Sequence, residues 1–113
     1  MGEAVLAAIE LGLPIQIHTG LREGAIGIID TNPAYIKSFL TRKEFSNARF
    51  ILLHGGFPYM GETAFLARNL PNVYIDFCWS QILSYHATKE WLAKSNQMVP
   101  ANKVMVGGDV FSV

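Results

Sequence analysis

Apolar and polar positions along the chain alternate between two periods. Val5, Leu6, Ile9 and Leu13 recur at helical spacing, and Gly12 followed by Pro14 closes the segment as a helix stop does. Pro14-Ile15-Gln16-Ile17-His18 is then a short β-branched run halted by Thr19-Gly20, which predicts a strand. A polar, glycine-containing stretch leads to Asn32-Pro33, an N-cap and a first-turn proline, so a helix is expected to carry Tyr35, Ile36, Phe39 and Leu40 as i,i+4 apolar pairs.

The cycle continues to the end of the chain. Arg49-Phe50-Ile51-Leu52-Leu53-His54, closed by Gly55-Gly56, predicts a second strand. Residues 62–70 predict a helix with Phe65, Leu66 and Leu70 on its apolar face, stopped by Pro71-Asn72. Val73-Tyr74-Ile75-Asp76-Phe77 predicts a third strand. Residues 81–94 predict a helix, with Ile82, Tyr85, Lys89 and Leu92 alternating between core and solvent. Lys103-Val104-Met105-Val106-Gly107-Gly108 predicts a fourth strand. The order α-β-α-β-α-β-α-β is that of an α/β fold with four parallel strands and helical crossovers. One domain over residues 1–113 is expected.

The ends of this pattern are unusual. The chain opens on a helix and reaches Val110-Phe111-Ser112-Val113 straight after its last strand, which would leave both outer strands as bare edges of a buried type of sheet. A complete (β/α)8 barrel needs about 250 residues. The expectation is therefore a fragment, half a TIM barrel, that self-associates or pairs with a missing N-terminal half.

Composition changes the picture mainly by exclusion. Nine basic residues balance nine acidic ones, so no net field draws nucleic acid or an anionic membrane. No apolar run is long enough to span a bilayer, and Glu3 and Glu10 interrupt the first segment, unlike a signal peptide. Cys78, without a partner for a disulfide, reads as a small buried hydrophobe near a strand end. A cytoplasmic setting is the default.

The chemistry gathers where strands end. His18 closes the first, His54 the second, and Asp109 follows the fourth. In parallel α/β folds that edge carries the site, and two imidazoles with a carboxylate make a partial shell for a divalent ion. A single strand-end histidine is more often a structural group, and Asp109 after Gly-Gly is also placed to cap a turn. Their joint placement beside glycine turns is what points to chemistry. Asp76 reads as a structural acceptor. Phe57, Tyr59 and Trp79 fall in loops able to wall a substrate pocket, and Arg22 and Glu23 occupy the loop after His18, where Arg22 is placed to hold a substrate carboxylate. His86 lies mid-helix and reads as a surface residue.

Several of these stretches together resemble consecutive motifs of the amidohydrolase-related family of metal-dependent hydrolases: Leu13-Pro14-Ile15-Gln16-Ile17-His18-Thr19-Gly20, Asn32-Pro33, Leu52-Leu53-His54-Gly55-Gly56-Phe57-Pro58-Tyr59, Asn72-Val73-Tyr74-Ile75-Asp76 and Asn102-Lys103-Val104-Met105-Val106-Gly107-Gly108-Asp109. The likeness covers essentially the whole chain. It is nearest the branch that includes the domain fused to glutamine synthetase in nodulin-like proteins.

The resemblance implies that the strands are the fifth to eighth of a (β/α)8 barrel. It places a metal ligand at His18, a second ligand or a substrate contact at His54, and a ligand that also accepts the water proton at Asp109. The implied activity is hydrolysis of a C–N or C–O bond in a small substrate, with zinc the first choice of metal and manganese the second. Non-oxidative decarboxylation is the alternative within the superfamily, and a non-catalytic binding barrel the alternative outside it. One family feature is missing: the strand-one His-x-His pair has no counterpart here. The chain alone is thus expected to bind metal weakly and to be inactive without ligands from elsewhere.

Overall fold

The computed structural model describes residues 1–22 and 28–109. Glu23 and residues 110–113, named from the sequence above, lie outside that range. Helix α1 (Gly2–Glu10) precedes β1 (Ile15–Ile17). A 3₁₀ turn (Pro33–Ile36) leads directly into the short α2 (Lys37–Leu40), followed by β2 (Phe50–Leu52), α3 (Met60–Asn69), β3 (Val73–Asp76), α4 (Ser80–Leu83), α5 (Tyr85–Met98) and β4 (Val104–Met105). The strands form one parallel sheet in the order β1-β2-β3-β4. Each new strand adds beside the last without reversal. That is the order of an arc of a (β/α) barrel, whereas a doubly wound sheet reverses direction at a switch point.

Register separates the two faces of the sheet. Phe50 pairs with Val73 and Leu52 with Ile75; all four are fully buried and point to the helical layer. Phe45 and Phe39 extend this core, their rings 5.0 Å apart. The alternate row, Gln16, Ile51 and Tyr74, is less buried, as the inward row of a barrel arc would be. His18 continues the parity of Gln16, so the alternation that buries Ile15 and Ile17 against helices turns His18 to the inner side.

The structure corrects several details of the helices. The segment after Asn32 begins as a 3₁₀ turn, although Asn32 caps it as expected, its side-chain oxygen accepting from the Ala34 N–H at 2.9 Å. Tyr35 is exposed and contributes nothing to the core. Phe65 is 67% exposed and lies off the apolar face of α3, which is formed instead by Met60, Ala64, Leu66 and Ala67. The helix expected over residues 81–94 is two helices broken at Ser84, whose hydroxyl accepts from the Ala87 N–H to start α5. Ile82 and Tyr85 flank the break and are 66% and 71% exposed. His86 is exposed, as expected. No helix among the described residues is long and apolar enough to cross a membrane.

Candidate metal centre

The carboxyl ends of the strands converge on His54. Its backbone lies in the left-handed region (φ 64°), followed by Gly55 (57°) and Gly56 (72°), so the chain leaves β2 in a tight coil and turns the imidazole inward. Gly56 is required there: an added Cβ would meet the Thr63 hydroxyl at 2.0 Å. The non-glycine residues with positive φ among those described are His54, Trp79 and Asp109. All three belong to this one site. Such conformations cost about 1–3 kcal/mol each and collect where function requires a fixed side chain.

Hydrogen bonding sets which ring nitrogens carry protons. A carbonyl oxygen only accepts, so His54 Nδ1–H donates to Cys78 O (3.0 Å) and His18 Nε2–H donates to Leu21 O (3.1 Å). With both rings neutral, the remaining nitrogens, His54 Nε2 and His18 Nδ1, face each other at 3.2 Å with a lone pair each. Asp109 Oδ2 approaches His54 Nε2 at 3.8 Å. His54 Nε2 thus has His18 Nδ1 on one side and Asp109 on the other.

A cation resolves that arrangement. Two nitrogens on a tetrahedral ion with bonds of about 2.0–2.1 Å lie about 3.3 Å apart, close to the spacing found. The backbone carbonyls behind both rings provide the outer hydrogen bonds that orient metal-bound histidines. The residues present fit a divalent metal.

Burial holds His18 below the ordinary imidazole value of 6.5. The Leu21 carbonyl pulls upward, the His54 and Arg22 charges add to the depression, and Asp109 opposes it. The unfolded chain therefore binds more protons just under 6.5, and stability of the metal-free protein is lost as pH falls through that window. Urea melts at about pH 5 and about pH 7 should show the decrease, and His18→Gln should reduce it. An equal decrease in the variant would assign the effect to other groups.

The predicted substrate residues are distributed unevenly. Trp79 stacks edge-on to the His54 ring, centroids 5.5 Å apart, and walls the site. Arg22 is exposed, near enough for its charge to act on His18. Tyr59 heads α3, where its carbonyl accepts from the Thr63 hydroxyl. Phe57 is half-buried and packs against the core. An apolar hollow of about 490 Å³ beside Phe65 and Leu66 lies on the helical side, away from the histidines.

Sequence reasoning missed one participant, Cys78. Among the described residues, His54, Cys78 and Asp109 are a group whose ligand atoms all lie within 4.8 Å of one another; His18 joins only through His54. Cys78 is buried, as expected, but its sulfur lies 3.6 Å from His54 Nδ1, and that burial pushes the thiol above its ordinary value. Asp76 is the structural acceptor that the sequence led one to expect. Its Oδ1 accepts from both Cys78 N and Gly107 N, each at 2.8 Å, and so ties the loop after β3 to the chain leaving β4.

An arc of parallel strands with histidines and a carboxylate at its carboxyl edge is an α/β barrel-type domain bearing a candidate metal centre. The chain belongs to the family described as Amidohydrolase, whose model matches residues 3–111. It is 33% identical over 97 residues to Protein fluG of Emericella nidulans, a match covering 85% of this chain and 11% of that protein. A solved structure described as a "putative metal-dependent hydrolase" from Lactobacillus casei superposes with a TM-score of 0.83 at 23% identity, over 96% of this chain and 28% of the other. At that identity the likeness is one of fold. The chain spans about a tenth of the first protein's length and under a third of the second's.

Proposed function

We propose that this chain carries part of the metal site of a hydrolase that cleaves a C–N or C–O bond in a small substrate. The observation that carries the reading is the meeting of groups at His54, whose Nε2 has His18 Nδ1 at 3.2 Å and Asp109 Oδ2 at 3.8 Å, with Cys78 in the same group as His54 and Asp109. His18 and His54 bind the ion, their rings oriented by Leu21 O and Cys78 O. Nitrogen and carboxylate donors suit zinc first and manganese second. When bound, the ion supplies Lewis acidity and makes water a nucleophile near neutral pH.

The other residues divide the remaining work. Asp109, its side chain 41% exposed, reaches solvent and receives the proton of the attacking water at its carboxylate. His54, 1% exposed, is fixed in place beneath it. Trp79 limits water on one side and presents a flat wall to substrate. Outer strands β1 and β4 are each paired on one side among the described residues, so further barrel strands would complete both the sheet and the ligand shell.

The test uses the full-length protein and a panel of small amides, esters and carbamates. Chelation should abolish hydrolysis, and zinc or manganese should restore it. Hydrolysis that persists at full rate after exhaustive chelation would overturn the proposal.

A further inference from the structure

We propose that Cys78 supplies a thiolate ligand to the ion held by His54 and Asp109, giving the centre a sulfur donor. This rests on the metal reading above and goes beyond it, since the histidine and aspartate positions alone imply only nitrogen and oxygen donors.

The placement of the sulfur is built rather than incidental. Cys78 belongs to the group whose ligand atoms lie within 4.8 Å of one another, while His18 stands outside that group. Its backbone is held by Asp76 Oδ1, the same oxygen that holds Gly107 N, two residues before Asp109. One carboxylate oxygen therefore fixes the Cys78 loop and the Asp109 segment relative to each other. The close approach depends on Gly107: an added Cβ would stand 2.9 Å from Asp76 Oδ2 and 3.4 Å from the Cys78 Cβ. Trp79 follows in the left-handed region and turns the chain sharply after the cysteine.

The local chemistry also suits a cation. His54 Nδ1–H is committed to Cys78 O, with the Cys78 sulfur 3.6 Å from the same nitrogen, and the Nε2 lone pair is left for an ion on the side of Asp109. A thiol beside an imidazole and a carboxylate provides the soft donor that favours zinc over magnesium or calcium. As the sulfur–metal bond forms, the thiol proton leaves to solvent, and the ion binds to the resulting thiolate.

Cobalt(II) substitution in the full-length protein tests this, because thiolate-to-cobalt charge transfer absorbs in the near ultraviolet independently of the visible d–d bands. The wild type should show both. Cys78→Ser should lose the charge-transfer band, keep the d–d bands, and bind cobalt at least about tenfold more weakly. Cys78→Ala, which leaves no buried hydroxyl, should behave in the same way and guards against a folding defect in the serine variant. A wild-type spectrum with d–d bands and no charge-transfer band would overturn the thiolate while leaving the metal site standing. A charge-transfer band surviving in both variants would do the same. Absence of the d–d bands from the wild type would overturn both proposals.

Discussion

Replacing His54 by alanine is expected to reduce metal affinity of the full-length protein by more than the 10–100-fold that loss of an outer-shell partner costs. This residue touches every other group of the centre. Its Nε2 faces His18 and Asp109, its Nδ1 binds the Cys78 carbonyl, and its ring packs against Trp79. Alanine also leaves a cavity at a position 1% exposed, so some thermal destabilisation should accompany the loss. His54→Asn separates the two effects: it keeps a polar group in the coil but lacks the imidazole geometry. Zinc titration by calorimetry should show weak binding in both variants. Affinity within threefold of the wild type in His54→Asn would remove His54 from the ligand set.

The second large effect is expected at Gly20, which carries no ligand atom but lies in the loop between the His18 and His54 segments. Gly20 has φ 75°, and an added Cβ would lie 2.1 Å from Phe57 O and 2.6 Å from the Gly56 carbonyl carbon. The neighbouring bonds show what depends on that contact. Leu21 N–H donates to Phe57 O at 2.7 Å, and the Thr19 hydroxyl donates to Leu53 O at 2.7 Å. These bonds seam the loop after β1 to the loop after β2 and bring His18 against His54. Gly20→Ala meets a backbone clash and a left-handed penalty together, so a loss of about 3 kcal/mol or more is expected. Metal affinity should fall with it, because the two rings would no longer face each other. Urea denaturation reads the first effect and zinc titration the second; a change below about 0.5 kcal/mol would show that the seam is not closely packed.

Much of this was legible in the sequence, for physical reasons. Short β-branched runs closed by Gly20, Gly55-Gly56 and Gly107-Gly108 marked the strand ends, and the strand ends located the histidines and Asp109. The break at Ser84 was hidden because Ile82 and Tyr85 have apolar side chains at helical spacing, and spacing does not reveal that both face solvent. Phe65 misled for the same reason: its exposure depends on which neighbours pack on α3, a tertiary fact. The left-handed backbone at His54, Trp79 and Asp109 left little trace, because only glycine, and more weakly asparagine and aspartate, advertise that conformation. Cys78 read as packing because a buried thiol and a ligand thiol share one sequence signature. What separates them is the Asp76 clamp, which joins residues 76, 78 and 107 across two strands.

The claim on which all of this depends is that His18, His54 and Asp109 hold a divalent ion. Elemental analysis of the full-length protein and its His18→Ala variant, purified side by side and desalted, tests it most directly. Bound zinc or manganese is expected in the wild type, with a clear fall in stoichiometry when His18 is removed. Equal metal content in the two proteins would contradict it.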